Sequence, residues 1–273
     1  MDHEAKIQYD LGGTRMPVWS GGALLTFASN QTPAPVILSF DEQGQRLPPL
    51  ILTIPESETI DLHDVARGSD GAVVACGSAY DHSGRGSGFL AVFSPTGDNV
   101  NVIRLYPYSP SRVAVASDGT LWTAGLEVTD ATSIVDSTPP SSGVIRHFDR
   151  AGRSMGSFKY TGHVLGLAPQ YYEIPQYFET LSDGMIRKYP AVSLGRSEVV
   201  VGLALTDEGR TYVSTNDKSN HARRLLSIAA PDQSWVQGSP PSQLGRTWLY
   251  GADGDRLVFF HHRDTVMFVK VSN

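Results

Sequence analysis

A hairpin unit that returns about every 45 residues, a second turn marker in the latter half of the units, and almost no helical periodicity predict an all-β fold. Two hairpins per unit make the four strands of a propeller blade, so the expectation is a single-domain six-bladed β-propeller spanning residues 1–273.

The first marker is clearest in Ala66-Arg67-Gly68-Ser69-Asp70-Gly71-Ala72-Val73-Val74. It returns as Ala114-Val115-Ala116-Ser117-Asp118-Gly119-Thr120-Leu121-Trp122 and as Ala204-Leu205-Thr206-Asp207-Glu208-Gly209-Arg210-Thr211-Tyr212. Ala252-Asp253-Gly254-Asp255-Arg256-Leu257 is a further copy, and Ser20-Gly21-Gly22-Ala23-Leu24-Leu25 a weaker first one. Each is an apolar run, a tight Asp-Gly or Gly-Gly turn, and a second apolar run, which reads as the inner hairpin of a blade. The second marker is Phe-x-x-x-Gly after alternating residues. It occurs at Phe40 to Gly44, Phe93 to Gly97 and Phe148 to Gly152, and joins the two outer strands.

Blades are expected to start near residues 16, 61, 110, 163, 198 and 246. The fourth is irregular: the turn at Asp183-Gly184 stands too close to that at Gly209 for two full outer strands. The last unit stops one strand short, and Ile7-Gln8-Tyr9-Asp10-Leu11 has the pattern to supply it. An N-terminal strand closing the last blade removes an open edge.

Composition agrees with a packed domain. Hydrophobic residues make up 40% and charged residues 18%, while 27 Gly and 17 Pro are spread along the chain as turn punctuation. A net charge of −6 without a basic block excludes nucleic acid as the expected partner. No apolar run is long enough to span a bilayer, so no membrane partner is expected. A single cysteine, Cys76, forbids an internal disulfide and a cysteine-based zinc site, and its apolar run makes it a small buried hydrophobe. Met1-Asp2-His3-Glu4 carries no apolar leader; the expectation is a cytoplasmic protein or one whose leader has been removed.

The segment Arg112-Val113-Ala114-Val115-Ala116-Ser117-Asp118-Gly119-Thr120-Leu121-Trp122, followed by Ile145-Arg146-His147-Phe148-Asp149-Arg150-Ala151-Gly152, resembles the NHL-repeat and related six-bladed propellers of bacteria, among uncharacterised members. The resemblance implies turns and inter-blade core, with Trp122 and Phe148 inside, rather than an activity. Gluconolactonase-like propellers place a metal-binding Glu just before Gly-Pro-x-Trp. Here Arg15-Met16-Pro17-Val18-Trp19 has a cation near that place.

In a propeller the loops leading into inner strands and those between second and third strands share one end of the axis. His63 and His163 fall at the starts of inner strands, and His82, His221, His261 and His262 in second-to-third-strand loops. Arg112 and the aromatic residues Tyr108, Tyr171 and Tyr172 map to the same end, as do long loops at 78–87 and 127–142. Aromatics with Arg and His around a concave mouth suit a polar small molecule, a glycan or a peptide. Asp70, Asp118, Asp207 and Asp253 lie at the other end and read as turn residues. Asp64 is set apart from His63, because neighbours in a strand alternate between faces.

The expected function is ligand or protein binding through the loop end, by a monomer. The alternative is a hydrolase or lyase at the channel mouth, with His63 or His163 as base or metal ligand. No cofactor motif is present and no resident metal is expected: the Gly-rich loop at 78–87 lacks the phosphate-loop lysine.

Overall fold

Every strand pair foreseen around a turn marker forms. The computed structural model describes residues 17–27, 32–84, 86–97, 100–105, 108–128, 141–159, 173–174, 177–180, 186–189, 192–193, 198–217, 223–228, 236–238, 247–261 and 265–270. The first sheet runs β1 (Val18–Ser20), β2 (Ala23–Phe27), β3 (Val36–Phe40) and β4 (Leu50–Ile51). The second holds β5 (Thr59–Arg67), β6 (Val73–Tyr80), β7 (Gly86–Phe93) and β8 (Val100–Leu105). The third holds β9 (Tyr108–Val115), β10 (Leu121–Val128), β11 (Ser141–Phe148) and β12 (Ser154–Lys159). All are antiparallel in chain order, inner strand first, and no helix occurs among the described residues.

The turns carry the chemistry that their sequence implies. Asp70 Oδ1 accepts the Ala72 N–H at 3.2 Å, and Gly71 sits at φ 87° while its N–H donates to the Gly68 carbonyl. Asp118 repeats the device, accepting the Thr120 N–H at 2.8 Å. These carboxylates hold turns.

The fourth unit departs from a blade. Its described strands are β13 (Glu173–Ile174), β14 (Tyr177–Thr180), β15 (Ile186–Tyr189) and β16 (Val192–Ser193). They form two two-stranded sheets, β13 with β16 and β14 with β15, whose pairs Glu173–Ser193, Ile174–Val192, Tyr177–Tyr189 and Thr180–Ile186 follow one register. A four-stranded sheet then resumes with β17 (Glu198–Leu205), β18 (Thr211–Asp217), β19 (Arg223–Ile228) and β20 (Val236–Gly238). The last unit is β21 (Thr247–Asp253), β22 (Arg256–His261) and β23 (Thr265–Lys270); β21 meets β1 in parallel at Trp19 and Gly251, so the first and last units join into one seven-stranded sheet.

The core divides by seam between sheets. Leu25, Phe27, Ile37, Ile60, Val73 and Phe89 fill the seam between first and second sheets. Cys76, Leu90, Tyr108, Val113 and Phe148 fill the next. Ala114, Trp122, Ala124 and Ile145 then pack directly on Leu203, Leu205 and Val213, joining the third sheet to the β17 sheet. Tyr212 with Leu249 and Phe259 joins that sheet to the last, and Phe260 with Leu24 and Phe40 returns to the first. Among the described residues there are five such clusters, one per seam. At that seam no described strand of the fourth unit stands between the third sheet and β17. Trp122 and Phe148 are buried in seams as their pattern predicts. The closing strand expected at residues 7–11 lies outside the described residues.

Candidate functional site

Four inner strands carry one extra residue at corresponding heights. The extra residues are His63 in β5, Ser111 in β9, Val201 in β17 and Tyr250 in β21, each skipped where the ladder shifts register. A bulge of this kind breaks the two-residue alternation and re-aims the side chains beside it. On β5, His63 and Asp64 therefore both reach β9 although they are sequence neighbours. His63 Nδ1 lies 2.8 Å from the Pro110 carbonyl, and Asp64 Oδ2 accepts the Val113 N–H at 3.0 Å. The expectation that Asp64 faces away from His63 is thus corrected: the bulge, invisible to strict alternation, puts both on one seam. Glycines on the partner strands leave room for it. A Cβ on Gly77 would collide with the Asp61 carbonyl, and one on Gly125 with that of Ser109.

The place after each bulge divides the axis into two halves. In β17 and β21 it is Gly202 and Gly251, whose missing side chains let the strands close on the Leu249 and Trp19 carbonyls. In β5 and β9 it is Asp64 and Arg112. Backbone approaches backbone on one half, and charged side chains line the seam on the other.

That polar seam has a defined electrostatic order. The Pro110 carbonyl can only accept, so Nδ1 of neutral His63 carries the hydrogen and Nε2 is the atom that takes up or releases a proton. Nε2 stands 3.7 Å from Asp61 Oδ2, with both side chains 23% exposed. Behind them Asp64 is buried, and burial raises its carboxyl above the usual carboxylate value. The Arg112 charge, the Val113 and Val65 N–H groups and the His63 charge oppose that rise. Half-buried Arg112 donates from Nη1 to the Ser111 carbonyl at 2.6 Å. Ser78 and Ser109 hydroxyls meet across the seam at 3.3 Å. The half-exposed Tyr80 ring stands two rungs outward from the Asp61–Ser78 pair, opposite Thr59 and over Gly86. Burial, helped by the Asp64 charge, pushes the Cys76 thiol well up, so Cys76 is an inert core residue as predicted.

The nine residues named from the sequence separate clearly. His63 and Arg112 meet around Asp64. His82 is exposed in the turn between β6 and β7. Tyr108 is not at the surface: it is 1% exposed, its hydroxyl lies 2.8 Å from that of Thr123, and Arg146 covers its ring at 4.6 Å. The physical reason is that β9 already begins at Tyr108, whose ring turns into the seam. His261 ends β22, pairing with Thr247 and Thr265. His163, Tyr171, Tyr172 and His221 lie outside the described residues. Asp61 was missed, though a polar pair intruding into an apolar strand opposite a glycine is the available signal for such a bulge.

A cavity of about 310 Å³ occupies the opposite, hairpin-turn end of the axis, lined by β1, β5, β9, β17 and β21, among them Ser20, Arg67, Val115, Leu205 and Asp253. Polar groups here tie sheets together. Ser20 Oγ donates to the Arg67 carbonyl at 2.8 Å, the Asp207 N–H donates to the Gly254 carbonyl, and Arg150 pairs with Asp70 at 2.5 Å. Among the described residues no group of three His, Cys, Asp or Glu side chains is placed to hold a metal ion.

The sequence matches no protein-family profile and no curated protein. Among solved structures, the chain is similar to a GH43_1 enzyme from Xanthomonas citri, with a TM-score of 0.50 and 14% identity over 90% of this chain and 82% of that one. It is also similar to a Hadza microbial sialidase, with a TM-score of 0.47 and 11% identity over 94% of this chain; it spans 57% of the sialidase's length. At this identity what is shared is the fold, which supports an all-β propeller.

Proposed function

We propose that the chain is a five-sheet propeller that binds a polar small molecule at the loop end of its axis, on the seam between β5 and β9. The carrying observation is the bulge that brings His63, Asp61, Asp64 and Arg112 together where the other half of the axis has glycine. A rigid scaffold that gathers convergent donors and acceptors at a partly exposed mouth is the usual form of a small-ligand site. The five-seam core supports the sheet count in place of six blades.

A thermal-shift screen of chemically diverse polar compounds against the intact chain, His63→Ala and Arg112→Ala tests the reading. Compounds that raise the melting midpoint of the parent are expected to lose that effect in both variants. Stabilisation that persists equally in both variants would place the binding site elsewhere.

A hydrolase is the second reading, favoured by the tautomer of His63. With Nδ1 held by Pro110, Nε2 beside Asp61 is set to accept a proton from an attacking water, with Arg112 near developing negative charge. An esterase, lactonase and glycosidase screen decides it. Turnover must fall by about a hundredfold or more in His63→Ala if His63 is the base.

A further inference from the structure

We infer that the ligand of the β5–β9 seam is an uncharged, hydroxyl-rich molecule, a sugar ring rather than a sugar acid, an amine or a metal ion; the inference rests on the binding-site reading above. The argument is one of charge and hydrogen-bond balance. Asp61 offers a carboxylate beside the His63 imidazole, and the Arg112 charge acts on the buried Asp64 that follows His63. An anionic ligand placed against His63 also meets the Asp61 carboxylate 3.7 Å from Nε2. A cationic ligand placed against Asp61 meets the His63 imidazole, whose Nε2 lies 3.7 Å from Oδ2. A pair of neighbouring hydroxyls suits both at once, because each hydroxyl donates and accepts. One donates to Asp61, and its neighbour accepts from the imidazole when Nε2 is protonated, or donates to it when it is not.

Two further features fit the same chemistry. Ser78 and Ser109 present hydroxyls across the seam, which add neutral donors and acceptors without charge. Tyr80, half-exposed on the ladder that carries Asp61, supplies an aromatic ring with a polar tip, suited to the C–H face and hydroxyl edge of a sugar. No exposed large hydrophobic side chain belongs to this seam among the described residues, which leaves little for an apolar ligand to contact.

The test uses the full chain, its Asp61→Asn and His63→Gln variants, and two probe sets followed by saturation-transfer NMR and calorimetry. One set holds neutral xylo-, cello- and galacto-oligosaccharides; the other holds glucuronic and galacturonic acids. Circular dichroism and thermal unfolding first establish that both variants fold. The expected result is neutral-sugar binding that weakens about fivefold in each variant, because Asp61→Asn turns a charge-assisted hydrogen bond into a neutral one and His63→Gln displaces the ring nitrogen. Sugar acids are expected to bind the parent more weakly than their neutral counterparts and to gain affinity in Asp61→Asn, where the repelling charge is gone. Tighter binding of the acids than of neutral sugars, lost in His63→Gln, would overturn this inference and leave the site reading standing. Neutral sugars that bind the parent and both variants alike, or no sugar binding at all, would overturn it as well. If the compounds found in the thermal-shift screen are also indifferent to His63, the site reading falls with it.

Discussion

Replacing Asp64 tests whether the bulge builds a working seam or only relieves strain. Asp64→Ala removes the acceptor of the buried Val113 N–H. Leaving a buried donor without its acceptor costs about 1–3 kcal/mol. For a chain of 273 residues the unfolding entropy is about 0.6 kcal/mol/K, so the melting midpoint should fall by about 2–5 °C. Asp64→Asn should behave differently. It keeps an oxygen for Val113 but never ionises, and the raised carboxyl of Asp64 shows that burial outweighs the help from Arg112 and the backbone. Because the folded-state value lies above the unfolded one, the contribution of Asp64 is fully present below about pH 3.9 and is lost as pH rises through the folded value. The Asn variant should therefore match or exceed the parent at pH 7 and lose that advantage as the solution is acidified. Thermal unfolding of parent, Asp64→Asn and Asp64→Ala between about pH 4 and 8 reads both effects. An unchanged midpoint in Asp64→Ala, or an Asn variant far less stable than the parent at pH 7, would refute the account of this seam.

Three other outcomes follow from the same geometry. His147 stacks on Trp122 at 4.3 Å with Nε2 buried and without a hydrogen-bond partner among the described residues, and burial lowers its pKa against the pull of Asp118. The unfolded chain then takes up the proton first, so stability should fall as pH drops from about 6.5 toward the lowered value; urea unfolding of the parent against His147→Phe should show that slope only in the parent. Gly251 has φ 150° and faces the Trp19 carbonyl, so Gly251→Ala should cost about 3 kcal/mol or more and open the β1–β21 pairing, seen as earlier thermal unfolding. Deleting residues 1–12, the proposed closing strand beside β23, should cost several kcal/mol and promote aggregation. An unchanged melting midpoint and monomer peak on size exclusion would remove that strand from the ring.

The sequence by itself determined the local hairpins and much of the core. Asp-Gly turns demand positive φ at one position, and apolar runs on either side have one buried arrangement, so the turns at Gly71 and Gly119, the seam residues Trp122 and Phe148 and the start of nearly every inner strand were legible. The short spacing between the turn of the fourth unit and the next set that unit apart, and its described strands form only two-stranded sheets. How the sheets meet was not. Whether the third sheet packs on a fourth blade or directly on β17 depends on how Trp122 and Ile145 fit against Leu203 and Val213, contacts between residues far apart in the chain. The candidate site was half legible for the same reason. His63 and Arg112 stood out as polar residues at strand starts, while Tyr108 looked like rim and is core, and Asp64 looked averted and is central. A single bulged residue reverses every facing that alternation assigns beyond it, and a bulge is decided by which neighbouring strand is close enough to receive the displaced side chain. Only the tertiary structure, with Pro110 and Val113 in place, decides that.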